Sequence, residues 1–124
     1  MVALEVMREE DVLDELRSWF IARKTALAQA GYKADLVESP AAREKRSVSV
    51  TIASARRIGQ LVLWSSGEAE LGMADVASGE VTEEHREITS EIGLRDATMT
   101  LMAWLVSLSR IVWLIARLRS LTGL

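Results

Sequence analysis

Two Ser-Gly-Glu turns, Ser66-Gly67-Glu68 and Ser78-Gly79-Glu80, constrain this chain more than any other feature. They lie at hairpin spacing inside the stretch Ser47–Ile88. A turn of this type between alternating segments reverses a strand onto its neighbour. Ser47 to Ile52 alternates polar and apolar, so Val48, Val50 and Ile52 point to one face and Ser47, Ser49 and Thr51 to the other. Ile58 to Trp64 is more continuously apolar, the mark of a central strand. Glu68–Ala74 and Val81–Ile88 follow the two turns. The stretch therefore reads as an antiparallel meander.

Helical spacing flanks it. From Asp11 to Ala30, the residues Val12, Leu13, Leu16, Trp19, Phe20, Leu27 and Ala30 share one broad face, with Asp11 as the expected cap and Gly31 as the stop. Tyr32–Val37 reads as a short first strand, and Glu38–Arg46, holding the only proline, as an exposed loop. Beyond the meander, Thr89 or Ser90 is placed to cap a second helix with Leu94, Ala97, Leu101, Trp104, Leu105 and Leu108 on its buried stripe. The expectation is an α+β fold: an N-terminal helix, an antiparallel β-meander of four to five strands, and a C-terminal helix or helix pair packed on the sheet. At 124 residues the chain suits a single domain, with residues 1–31 the helix, 32–88 the meander and 89–124 the C-terminal helical region.

Charge is distributed unevenly. The formal net charge of -3 hides a segment, Ser66 to Glu91, with the acids Glu68, Glu70, Asp75, Glu80, Glu83, Glu84, Glu87 and Glu91 against Arg86 as its only Lys or Arg. Such a surface repels phosphate backbones and attracts basic proteins, which argues against nucleic acid as its partner. Cysteine is absent, so disulfides, thiolate metal sites and a Cys nucleophile are excluded. Met1–Glu10 offers neither the basic start nor the apolar core of an export signal, and a cytoplasmic location is expected. The longest charge-free run near the C-terminus, Ala97 to Ser109, is shorter than the ~20 residues that span a bilayer. Ser109–Leu124 carries Ile111, Trp113, Leu114 and Leu118 and is expected to bury them by helix packing, with a homodimer through this segment as one way to do so.

Constellations for chemistry are sparse. His85, the only histidine, sits in Glu83-Glu84-His85-Arg86-Glu87. Alternation puts Glu83 and Glu87 on its side of a strand, but no second His or any Cys completes a usual metal site, and none is expected. Glu68 and Glu70 lie about 7 Å apart on one strand face. They alternate with Ala69, Leu71 and Met73, the pattern of a solvent-facing side rather than a catalytic cleft. Arg57-Ile58-Gly59-Gln60 has one glycine and no phosphate loop, so Gly59 marks a bulge or close packing. Trp19, Trp64, Trp104 and Trp113 recur on apolar faces, where core packing is the default and interface anchoring the alternative.

Several segments together resemble a known family. Ser18-Trp19-Phe20, Ala30-Gly31-Tyr32, Val48–Ile52, Arg57-Ile58-Gly59-Gln60-Leu61, Leu63-Trp64-Ser65-Ser66-Gly67-Glu68, and His85 ahead of Met102-Ala103-Trp104-Leu105 are similar to the TriTu family of bacterial immunity proteins. The resemblance covers Trp19 to Leu105, and the apolar tail after Leu108 departs from it. It implies a cognate antitoxin, without cofactor or reaction of its own, that binds an ADP-ribosyltransferase toxin delivered by type VI secretion and aimed at elongation factor Tu. The acidic sheet face and its turns are then the expected toxin-binding surface: Glu68, Glu70, Glu80, Glu83, Glu84 and Glu87, with His85 and Arg86 beside them and Trp64 as an anchor. The competing readings are a structural or regulatory module that oligomerises through Ser109–Leu124, and an acid–base enzyme using His85.

Overall fold

The computed structural model describes residues 8–40 and 44–107. The expectations for Met1–Met7, for part of the proline-bearing loop, and for Leu108 and Ser109–Leu124, the homodimer among them, lie outside the described residues. The order of elements is α1 (Glu9–Gln29), β1 (Lys33–Glu38), β2 (Ser47–Ala53), β3 (Arg57–Trp64), β4 (Glu68–Asp75), β5 (Val81–Glu87) and α2 (Glu91–Val106). The five strands form one sheet in the order β1-β2-β3-β4-β5, each antiparallel to the next. This is the expected α+β meander, with β3 at its centre. Gly67 and Gly79 take φ of 94° and 74°, the left-handed conformation on which both Ser-Gly-Glu turns depend.

Both helices pack on one face of the sheet. α1 lies over β1 and β2, α2 over β3 and β4, and the helices touch each other. The core between the layers is apolar: Leu13, Leu16 and Phe20 of α1, Val48, Val50 and Ile52 of β2, Leu61 and Leu63 of β3, Leu71 of β4, and Leu94, Leu101 and Leu105 of α2. α2 approaches β3 closely at Gly59, where an added Cβ would lie 2.7 Å from Leu101 Cδ1. The β2–β3 and β3–β4 pairings run through Gly59 without interruption, so close packing, not a bulge, explains this glycine. Arginines tie the layers at their margins. Arg17 on α1 donates from Nε to Glu38 Oε1 at 3.0 Å, and Arg86 on β5 donates from Nη1 to Asp96 Oδ2 on α2 at 2.8 Å.

The helix starts differ from expectation in one respect. α1 begins two residues before Asp11; Arg8 occupies the cap position and makes no side-chain cap. Glu9, Glu10 and Asp11 all sit in the first turn instead, where carboxylates stabilise the positive end of the helix dipole. α2 is capped by Ser90, whose hydroxyl accepts the Gly93 N–H at 3.0 Å. Among the described residues, no helix is long and apolar enough to cross a membrane.

Candidate functional site

With both helices on one side, no described element covers the other side of the sheet. Strand register assigns its residues. One row across the sheet reads Val37, Ser49, Val62, Glu70, His85, and the next reads Asp35, Thr51, Gln60, Gly72, Glu83. A third row is Lys33, Ala53, Ile58, Ala74, Val81, and the remaining end holds Ser47 beside Trp64 and Glu68 beside Glu87. The β4–β5 half of this face is acidic, whereas the β1–β3 half mixes apolar and hydroxylated side chains with Gln60 and one charge of each sign, Lys33 and Asp35. Val37, Ile58 and Val81 are exposed on it by 62%, 41% and 67%. Ile58 and Val81 stand on either side of Ala74 in one row, and Val37 lies apart on β1.

The residues expected from sequence to bind a partner divide between the two sides. Trp64, Glu68, Glu70, Glu83, His85 and Glu87 share the uncovered face. Glu84 and Arg86 alternate to the helix side, opposite Leu71 and Ala69. There Arg86 donates to Glu84 Oε2 at 2.8 Å as well as to Asp96 and Thr100, so it joins β5 to α2. Glu80 precedes β5 in the second turn, and its carbonyl accepts the Asp75 N–H at 2.9 Å.

Trp64 differs from Trp19 and Trp104, which lean on the core from the helix side. It lies under Lys45, whose Nζ is 5.6 Å from the ring centroid and 2.5 Å from Glu68 Oε2. The hydrogen bond and charge of Lys45 hold the Glu68 carboxyl below its ordinary 4.5. His85 Nε2 lies 3.4 Å from Glu87 Oε1, both side chains being exposed. Among the described residues, Glu70 and Glu83 have no hydrogen-bond or ion-pair partner for their carboxylates, and no three His, Asp or Glu side chains are grouped to hold a metal ion.

Sequence reasoning missed Val37, Ile58, Gln60, Val62, Gly72 and Val81 as members of this face. Their signal was present: each is a whole number of two-residue steps from a polar neighbour on its own strand, or pairs with one. A separate concavity of about 520 Å³ runs between α1 and α2, lined by Trp19, Leu94, Met99 and Met102 together with charges of both signs, among them Arg23 and Glu91.

Comparison with known protein families gives a match. The family model described as immunity protein TriTu aligns with residues 14–104, from the first turns of α1 to the last turn of α2. No curated protein and no solved structure matches the chain.

Proposed function

The chain belongs to the TriTu family of immunity proteins, and from that premise we propose that it is the cognate antitoxin of an ADP-ribosyltransferase delivered by type VI secretion. It binds the toxin in the cytoplasm, occludes the cleft that takes NAD or the protein substrate, elongation factor Tu, and catalyses nothing itself. The observation that carries this reading is the extent of the family match, which takes in every strand of the sheet and most of both helices. The uncovered face supports it, because a partner-binding protein needs an exposed surface of mixed apolar and charged character more than it needs a cleft. Toxin contacts are drawn from Trp64, Glu68, Glu70, Glu80, Glu83, Glu84, His85, Arg86 and Glu87.

The test is reconstitution. The protein is co-expressed with the toxin encoded beside its own gene, the pair is co-purified, and ADP-ribosylation of elongation factor Tu is followed with labelled NAD. The expected result is a stable complex and loss of label transfer at equimolar protein. Undiminished transfer in the presence of excess protein refutes the proposal.

A further inference from the structure

Two glycines interrupt the strands of this sheet, and among the described residues only one has a structural reason. Gly59 faces the helices and is required by the approach of Leu101 and Leu105. Gly72, at the middle of β4, faces the uncovered side. It is not among the glycines with positive φ, and a Cβ built there meets no heavy atom of the described residues within 4 Å. Glycine weakens a strand interior relative to residues with a side chain, so here the fold bears a cost that nothing in the packing of the described residues requires. What the missing side chain does create is a notch in an otherwise continuous face.

The surroundings define what fits that notch. Gln60, the neighbour on β3, turns away from it, its Nε2 donating to Thr51 Oγ1 on β2 at 3.1 Å. Glu83 is the neighbour on β5 and Glu70 lies one step along β4. Both are exposed, and neither carboxylate has a partner among the described residues. Beyond Gly72 in the other direction, Ile58, Ala74 and Val81 form an apolar floor. A long side chain with an aliphatic stem and a cationic head matches both parts: the stem on the apolar row, the head between two carboxylates. The groove between α1 and α2 lacks this complementarity, since it presents both signs of charge.

We propose that the uncovered sheet face is the surface that docks the toxin, and that a lysine or arginine of the toxin enters the notch over Gly72 between Glu70 and Glu83. This rests on the immunity reading and sharpens it: Gly72, which carries no chemistry of its own, becomes a specificity-determining position, while Glu84 and Arg86 drop out of the contact.

The experiment measures binding of the full chain to the purified toxin, with thermal melting of each variant alongside. Gly72→Tyr fills the notch on a face that has room for it. The expected result is a melting temperature equal to or above that of the original protein and an affinity at least about tenfold weaker. A role confined to folding moves both in the same direction. Glu70→Lys with Glu83→Lys is expected to slow association by about tenfold at low salt, whereas Glu91→Gln, in the first turn of α2 on the helix side of the sheet, leaves it within about twofold. If Gly72→Tyr folds and binds as tightly as the original, the inference is overturned and the immunity reading stands. If Gly72→Tyr does not fold, the double lysine variant decides, and unchanged association overturns the inference. A toxin that does not bind the unaltered protein overturns the immunity reading itself.

Discussion

Arg57 opens β3 on the helix side and reaches the end of α2. Its Nη1 donates to Trp104 O at 2.5 Å and to the Ser107 hydroxyl, while its guanidinium carbon stands 4.6 Å from the centre of the Trp104 ring. Nε lies 3.6 Å from Asp75 Oδ2, beyond hydrogen-bond reach, and is the one buried side-chain polar atom without a hydrogen bond among the described residues. One cation therefore satisfies a carbonyl in the last turn of α2, opposes the negative end of its dipole and stacks on an aromatic face. Sequence places Arg57 beside a turn but cannot name its partner, because Trp104 lies 47 positions away. A charge-assisted hydrogen bond contributes about 1.5–3 kcal/mol and a cation–π contact about 0.5–1. Arg57→Ala is accordingly expected to lower unfolding free energy in urea by about 2–3 kcal/mol, with Arg57→Lys recovering only part of it. A loss of less than about 0.5 kcal/mol would show that the end of α2 holds without this clamp.

Among the elements, β2 and the first half of β4 have the most legible faces and β5 the least. Ala69 and Leu71 are buried while Glu68 and Glu70 are not, as alternation in the sequence says. Val81–Glu87 has no such contrast; only Arg86 in it is better than exposed. Pairing with β4, rather than any periodicity of its own, is what sends Glu84 and Arg86 to the helix side. β3 misleads in another way. Its more continuously apolar run is correctly the centre of the sheet, yet Ile58, Val62 and Trp64 are apolar on a side that no described element covers. Carboxylates anchor β4 at both ends. Glu68 is held low by Lys45, and Asp75 is held below 3.8 first by the Ser78 N–H, with Arg57 adding to it. Both folded-state values lie beneath the unfolded ones, so the stability they contribute is fully present above about pH 4.5 and is lost as pH falls through the folded values. Unfolding measured from pH 6 down to about pH 3 should show stability declining, and the decline should be shallower in Glu68→Gln with Asp75→Asn. An identical slope in that variant would remove these two carboxylates from the acid response.

At the scale of the molecule, a two-layer protein with helices on one side of its sheet has an interior side and a side left for encounter. The sequence signals half of this. Acids gather between Ser66 and Glu91, and bases gather between Lys33 and Arg57, even though the net charge is only -3. What it cannot supply is that Glu68 and Glu70 of β4 share one side of the sheet with Glu83 and Glu87 of β5 while Glu84 does not, since that depends on the register of the β4–β5 hairpin. Within that cluster Lys45 neutralises Glu68, which leaves Glu70 and Glu83 near the centre with their field uncompensated by any described neighbour. Charges so arranged act on encounter more than on the bound state: they steer an oppositely charged partner over distances set by the Debye length, about 10 Å at 0.1 M salt and about 3 Å at 1 M. If the acidic half of the face meets a basic toxin, the association rate constant should fall at least about tenfold between those salt concentrations while dissociation changes far less. Folding should respond weakly over the same range, because its core is apolar and its ion pairs lie at the margins of the layers. Stopped-flow association at a series of salt concentrations separates these cases. A rate constant flat in salt would mean that the acids of β4 and β5 serve solubility at the sheet edge, and that the toxin approaches through the apolar rows of β1 to β3 instead.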